Sequence, residues 1–354
     1  MNRDGAGTVQ VPELLDEVLS PEWLTAALGT RYPDIEVTAV SRGPVISRVA
    51  TNARFRIECA GGLPAGLPAD LCAKGYYSAA GQAFRHAGEP EACFYRDIAP
   101  MARMRTLRCL YADFDPRTRA SVILSEDVVA QGAVFLDALS DYTPDQAAES
   151  LAELAKLHAA TWQAPALAGV GWLASRLATY LDYRGVDDIR VNFEGPIGAG
   201  VPDGLRDAQL LADTYRALAG AVSEARPWSV IHGDSHVGNL FLDSAGRPSF
   251  LDWQVAQRGP WYLDVGYHIA SALTVPDRRR AEQDLLRHYL GELGAAGAEV
   301  PSWDNAWHGF RRGIVHGFFL WAITLKVDPA VTSVLLERLG TAAADHDAYA
   351  AAPA

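Results

Sequence analysis

The pattern of apolar and polar positions divides the chain into two parts of different character. "SPEWLTAALG" (20–29) sets a serine before a proline and closes on glycine, the start and stop signals of a short helix. Strand-like runs rich in β-branched or aromatic residues follow: "DIEVTAV" (34–40), "ARFRIEC" (53–59) and "DLCAKGYY" (70–77). "EPEACFYRDIAPMA" (89–102) reads as helix, and "ASVILSEDV" (120–128) as another strand that runs into acidic residues. After about residue 130 the spacing changes. "TPDQAAESLAELAKLHAATW" (143–162) predicts an amphipathic helix with Glu153 and Lys156 on its solvated face. Gly/Pro-rich segments at 163–171 and 195–204 flank a less distinct helix. "SVIHGD", "NLFLD" and "PSFLDWQ" predict short strands, with "SAGR" (244–247) as the turn between the last two. From 278 onward the pattern is helical, down to an alanine-rich tail (341–354) expected to fray. The expected architecture is therefore an α+β, two-lobed plan: a small, mostly β part over 1–128 and a larger, mostly α part over 129–354. A cleft between lobes is a natural ligand site.

Composition narrows the class. The chain has 354 residues, 49% of them apolar and 21% charged, enough for two domains and a substantial core. Acidic residues outnumber basic ones by 43 to 31, which argues against a nucleic-acid partner. The N-terminal stretch "MNRDGAGTVQVPELL" has no apolar core of the kind a secretory signal needs. The most apolar run, "GIVHGFFLWAITL" (313–325), is too short to span a bilayer and predicts a buried helix. Cys59, Cys72, Cys93 and Cys109 show neither metal-ligand spacing nor a histidine cluster, so they read as reduced core thiols of a cytoplasmic protein. No membrane or nucleic-acid partner is expected.

The chemistry concentrates in "VIHGDSHVGNLF", which holds His232, Asp234, His236 and Asn239. Three readings compete. On one extended strand His232, Asp234 and His236 would share a face and could hold zinc or iron. The run Gly233 to Val237 approximates a serine nucleophile elbow but lacks its second glycine. The spacing H-x-D-x-x-x-x-N, met by His232, Asp234 and Asn239, is that of a kinase-type catalytic loop.

Only the third reading requires further parts, and they occur in order. Asp252 in "FLDWQ" stands where a magnesium-binding carboxylate is wanted. Of only three lysines, Lys74 lies in an apolar strand, where a phosphate-holding lysine is wanted; the plainer account makes it an edge residue pointing to water. A helix with Glu91 follows, able to pair with Lys74, and Glu89 competes for that role or simply favours the helix dipole. "SRGPVISRVATNARF" offers a phosphate-covering turn with Gly43 and Ser47, although with a single glycine. No Walker A loop exists, because the chain has no Gly-Lys dipeptide.

"HGDSHVGN", "FLDWQ" and "RGPWYLDVGYHIASAL" together resemble the aminoglycoside phosphotransferase and choline kinase-like superfamily. Within it they are most similar to the ecdysteroid kinase-like small-molecule kinases and their bacterial relatives. "AKGYY", "EACFYRDIAP", "LSEDV" and "LAKLHAATW" fit the same branch, so the resemblance covers roughly residues 40–275. It implies a protein kinase-like fold and a phosphotransferase with ATP or GTP as donor, magnesium as cofactor and a small hydroxylated acceptor. It implies that Asp234 is the catalytic base or the group that orients the acceptor hydroxyl, that Asn239 and Asp252 hold magnesium, and that Lys74, oriented by Glu91, holds the α/β-phosphates. Ser47 and the backbone near Gly43 would cover the phosphates. Ser125, Glu126, Asp127 and Val128 would form the hinge that meets the purine. His232 and Asp264 would brace the loop, with His236 packing in it and His158 structural. "DWQ" in place of the D-F-G of protein kinases argues against a protein substrate.

The acceptor is read from "PSWDNAWHGFRRGIVHGFFLWAITL" (301–325). It holds Trp303, Trp307, Phe310, Phe318, Phe319 and Trp321 against one acid, Asp304. Polycationic aminoglycosides demand carboxylates. The expectation is a pocket for a neutral, partly apolar hydroxyl compound. The alternatives are an aminoglycoside or antibiotic phosphotransferase and a catalytically silent nucleotide-binding homologue.

Overall fold

The computed structural model describes residues 9–352. Residues 1–8, part of the stretch read above for a secretory signal, and 353–354, the end of the alanine-rich tail, lie outside the described residues. The chain forms two compact units, one of residues 9–100 with 106–133, the other of 101–105 with 134–352.

The first unit is built on a five-stranded antiparallel sheet of β1 (Val37–Ser47), β2 (Thr51–Cys59), β3 (Asp70–Gly75), β4 (Cys109–Phe114) and β5 (Ser121–Glu126), in the order β1-β2-β3-β5-β4. The alternation in β2 buries Ala53, Phe55 and Ile57 and turns Arg56 and Glu58 outward, the signature of a sheet covered on one face. Helix α1 (Pro21–Gly29) supplies that cover through Leu24, Ala27 and Leu28. Its first turn is capped by Ser20, whose hydroxyl accepts the Trp23 N–H at 3.2 Å. The stretch expected as one helix over 89–102 is α2 (Gly88–Cys93), a single π turn over Phe94–Ile98, and a last helical turn over Ala99–Ala102. Strand β4 went unpredicted although Leu110 and Ala112 alternate inward; it is an edge strand with a register shift between Cys109 and Tyr111. Of the four thiols, only Cys93 is fully buried.

The second unit is mostly helical. Its helices are α3 (Pro144–Ala160), α4 (Leu177–Tyr183), α5 (Val186–Glu194), α6 (Ala208–Ser223), α7 (Tyr262–Ala272), α8 (Val275–Ala295), α9 (Trp303–Ala322) and α10 (Pro329–Asp345). Helix α3 begins with a capping box between Thr143 and Gln146. Glu153, expected on its solvated face, is instead 1% exposed. It accepts the Arg105 N–H at 2.6 Å and pairs with Lys156 at 2.8 Å. Helix α7 is buried along its whole length and runs against α9, with no room for a Cβ at Gly313 or Gly317: the Tyr262 carbonyl and the Tyr267 ring occupy those places. The expected fraying at 341–354 is not seen up to residue 352. Alanines 342, 343, 348 and 351 are buried, so this composition serves close packing. Among the described residues no helix is long and apolar enough to cross a membrane.

Short strands carry the motif residues. The β8 (Leu240–Leu242) and β9 (Pro248–Phe250) hairpin turns through Asp243, which accepts the amides of Ala245 and Arg247 at 2.9 and 3.0 Å. A two-residue strand, β6 (Val134–Phe135), lies beside β8. Separately, β7 (Ser229–Ile231) pairs with β10 (Gln257–Gly259).

Candidate active site

The strand that enters the motif stops at Ile231. Gly233 has φ +80°, so the backbone turns and the period-two alternation ends before Asp234. The shared-face arrangement of His232, Asp234 and His236 therefore does not exist. Both ring nitrogens of His232 are also occupied: Nε2 donates to the Leu251 carbonyl at 2.9 Å, and Nδ1 accepts the Asp234 N–H at 3.2 Å. Among the described residues no three His, Cys, Asp or Glu side chains gather as a metal site. The bonds of His232 remove the zinc reading.

The loop is fixed from three helices. Asp264 of α7 accepts the amides of His232 (2.7 Å) and Gly233 (2.9 Å), and its own carbonyl accepts the Ser235 hydroxyl at 2.8 Å. His158 of α3 donates to Asp264 at 3.2 Å and accepts the Tyr289 hydroxyl at 2.8 Å. His268 donates to the Ser235 carbonyl at 2.7 Å, and His316 of α9 to the Gly233 carbonyl at 3.0 Å. Burial pushes His268 down to about 4 and lowers His316 as well, so both are neutral, single-tautomer struts at neutral pH.

Asp234 projects from this frame with its side chain 34% exposed. Its Oδ1 accepts the Tyr267 hydroxyl at 2.9 Å, and that hydroxyl accepts the Trp321 indole N–H at 2.6 Å. An indole only donates, so the Tyr267 proton must point to the carboxylate. Oδ2 faces the Asn239 amide at 3.2 Å and His236 Nε2 at 3.6 Å. Because His236 Nδ1 accepts the Gly238 N–H at 3.0 Å, Nε2 bears the proton. Burial raises the Asp234 pKa, but the interactions with His236, then His232 and the Tyr267 hydroxyl, outweigh it and hold the carboxyl down to about 2.

Asn239 and Asp252 stand at adjoining strand ends, since the Leu251 N–H bonds the Asn239 carbonyl at 3.0 Å and Leu240 pairs with Phe250. The Asn239 NH2 group is held by the Asp234 carbonyl (2.7 Å) and carboxylate, which directs its Oδ1 away from Asp234. Asp252 adopts the left-handed conformation (φ 64°, ψ 63°) that asparagine and aspartate tolerate. A hard amide oxygen beside a carboxylate suits a magnesium ion whose remaining ligands are waters and phosphates.

In the first unit Lys74 is not an edge residue. Strand β3 lies between β2 and β5, with Lys74 opposite Asn52 and Ile123. Its Nζ reaches Glu91 Oε2 at 2.7 Å and Oε1 at 2.9 Å, with Glu91 2% exposed and Lys74 15%. Gly43 is not in the turn after all. Strand β1 continues to Ser47, and Gly43 lies at a bulge in it, packed on the Arg54 carbonyl, while the turn itself spans 48–50. Ser47 Oγ lies 3.1 Å from Thr51 Oγ1. Ser125 and Glu126 end β5, and the amides of Glu126 and Asp127 bond the carbonyls of Arg108 and Asp70. The Asp127 carboxylate is an anchor: it takes Arg54 Nε at 2.7 Å and the amides of Val129 and Ala130. Val128 accepts the amides of Gln131 and Ala133.

Of the six aromatics over 303–321, Phe310, Phe318 and Phe319 fill the core, the last stacked 3.7 Å from Tyr215. Trp303 and Trp307 stack on one another, with Arg287 over the former. Only Trp321 comes to Asp234, so that helix does not line a pocket with six rings. The sequence reading missed Tyr267 and His268. They follow Asp264 by three and four residues, the spacing that puts all three on one helix face.

Residues 129–304 match the phosphotransferase enzyme family. No curated protein matches the chain. Among solved structures it is similar to choline kinase LicA from Streptococcus pneumoniae, at 11% identity and TM-score 0.46 over 92% of this chain and 98% of that one. It is also similar to a type I macrolide 2'-phosphotransferase, at 20% identity and TM-score 0.46 over 90% and 94%. A third is the GDP complex of aminoglycoside 2'-phosphotransferase-IIIa, at 14% identity and TM-score 0.46 over 92% and 99%.

Proposed function

We propose that the protein, whose residues 129–304 match the phosphotransferase enzyme family, is a phosphotransferase acting on a hydroxyl group of a small molecule, and that it moves the γ-phosphoryl group of ATP or GTP to a neutral, partly apolar alcohol in the cytoplasm. The observation that carries the reading is the Asp234 carboxylate, ionised and held by hydrogen bonds to both of its oxygens. The acceptor hydroxyl donates to Asp234, its oxygen attacks the γ-phosphorus, and the bond from that phosphorus to the β-bridging oxygen breaks. The acceptor proton goes to Asp234 and the nucleoside diphosphate leaves. A loose transition state needs little basicity early, so a carboxyl held near 2 serves chiefly to orient the nucleophile. Asn239 and Asp252 would hold magnesium, which when bound neutralises charge on the phosphates. Lys74 would bind the α/β-phosphates, Ser47 at the end of β1 would cover them, and the backbone of 125–128 would meet the purine.

The test is transfer from each triphosphate to a panel of neutral alcohols and to kanamycin, read as an 80-dalton-class mass gain of the acceptor. We expect at least one neutral alcohol to exceed kanamycin in kcat/KM, since α9 carries a single acid, Asp304, to match the amines of a polycation. Kanamycin outrunning every neutral compound would overturn the acceptor assignment.

Lys74→Ala is expected to weaken triphosphate binding and turnover, and also to lower the melting temperature. The reason for the second effect is that it strands the Glu91 carboxylate, at 2% exposure, without its cation. Breaking a buried pair from one side costs about 3–5 kcal/mol. The double substitution Lys74→Met/Glu91→Gln should recover melting temperature but not triphosphate affinity. Unchanged affinity in that double variant would make Lys74 a structural cation only.

A further inference from the structure

Asp252 keeps a backbone conformation, φ 64° and ψ 63°, that costs an L-residue energy and persists only where its surroundings fix it. Before Asp252 the chain is fastened from the loop that carries Asp234. Leu251 donates its N–H to the Asn239 carbonyl at 3.0 Å, and its own carbonyl accepts His232 Nε2 at 2.9 Å. After Asp252 comes the turn Trp253–Val255, and this is fastened from a different part of the chain. Arg176, the residue before α4, donates through one terminal guanidinium nitrogen to the Gln254 carbonyl and through the other to the Trp172 carbonyl, both at 3.1 Å. Its backbone N–H reaches Gln257 Oε1 at 2.6 Å, and the Gln257 NH2 group donates to the Val255 carbonyl at 3.2 Å. Gln257 is fully buried, and a Cβ on Gly233 would stand 2.7 Å from the Val255 carbonyl and 2.9 Å from Gln257 Nε2. The left-handed turn at Gly233 is therefore packed against the same clasp that closes the turn after Asp252.

We propose that Arg176 is a positioning residue for the metal carboxylate: its guanidinium ties the turn after Asp252 to the segment that enters α4, and this tie holds Asp252 in its left-handed conformation. The inference rests on Asp252 as a magnesium ligand. Metal affinity depends on groups that only orient a ligand, because a carboxylate that must first be ordered loses part of its binding free energy. The chemistry of arginine suits the task. One planar fork bridges two carbonyls from separate segments, Gln254 and Trp172, which a single ammonium does not do in the same geometry. Gln257 completes the clasp by accepting from the Arg176 backbone and donating back to the turn. A displacement of the segment before α4 is thereby felt at Asp252.

The test is a magnesium titration of the binding of a fluorescent ATP or GTP analogue, with affinity in the chelator EDTA as the metal-free reference. Arg176→Met, which removes the fork and keeps the backbone bond to Gln257, should raise the magnesium concentration for half-maximal binding by about tenfold, the low end of what a lost orienting partner costs. Metal-free affinity should stay unchanged. Arg176→Lys should shift the requirement less. A fall of metal-free and magnesium-dependent affinity by the same factor overturns the assignment, because it is what general loosening of the fold produces. Should Arg176→Met fail to fold, the same comparison on Arg176→Lys decides. Asp252→Asn, titrated in parallel, separates the two ideas. An unchanged titration there overturns the metal reading and this inference with it, whereas a shift there with none in Arg176→Met overturns this inference alone.

Discussion

Asp234→Asn is expected to lower kcat by roughly 10²–10⁴-fold, the span of general acid–base groups, with nucleotide KM nearly unchanged. The substitution keeps the shape but removes the charge that Tyr267, Asn239 and His236 converge on. All three of those groups present donors, so an asparagine NH2 in either orientation meets a clash of like polarity. The acid side of the pH profile carries a second expectation. A carboxyl whose folded pKa is depressed to about 2 is ionised at every higher pH, so its loss of function comes only as pH falls toward that value. From neutrality down to about pH 4, kcat should therefore show no limb due to Asp234. Near wild-type kcat in Asp234→Asn would remove this residue from the chemistry.

Asp252→Ala should abolish magnesium-dependent nucleotide binding, whereas Asn239→Ala should mainly raise the magnesium requirement. A carboxylate brings charge to the cation and an amide oxygen does not. Alanine is strained in the left-handed backbone that Asp252 occupies, so Asp252→Asn is the cleaner removal of charge. It should reproduce the loss with an unchanged melting temperature. Asn239→Ala should also lower kcat, because its NH2 group holds the Asp234 carbonyl and carboxylate. Magnesium titrations of these variants that match the unmodified protein would show the proposed metal site to be wrong.

Local chemistry made much of the fold legible. Ser20-Pro21 and the Thr143–Gln146 box announce helices because capping is a matter of neighbouring residues. Strand β4 and helix α6 were missed for a shared reason: neither begins at a proline, and their apolar positions are short or alanine-rich. The reach of the motif was legible as spacing, but its geometry was not. Alternation over "VIHGDSH" assumed a strand, and one positive φ at Gly233 ended it. Trp321 could not be assigned to Asp234 from the sequence, since the link runs across 87 residues (321 − 234) and exists only where α9 meets α7. The aromatic run itself was over-read, because helical periodicity reports that a face is buried without saying what it is buried against.

Helix α9 holds the loop at two points, through His316 on the Gly233 carbonyl and Trp321 on Tyr267, while Gly313 and Gly317 admit α7. These positions lie beyond residue 304, where the family match ends. The C-terminal helices are thus no exchangeable cassette. A chimera that borrows this helix from a relative must import the histidine, the indole and both glycines in register, or it loses turnover along with the old acceptor.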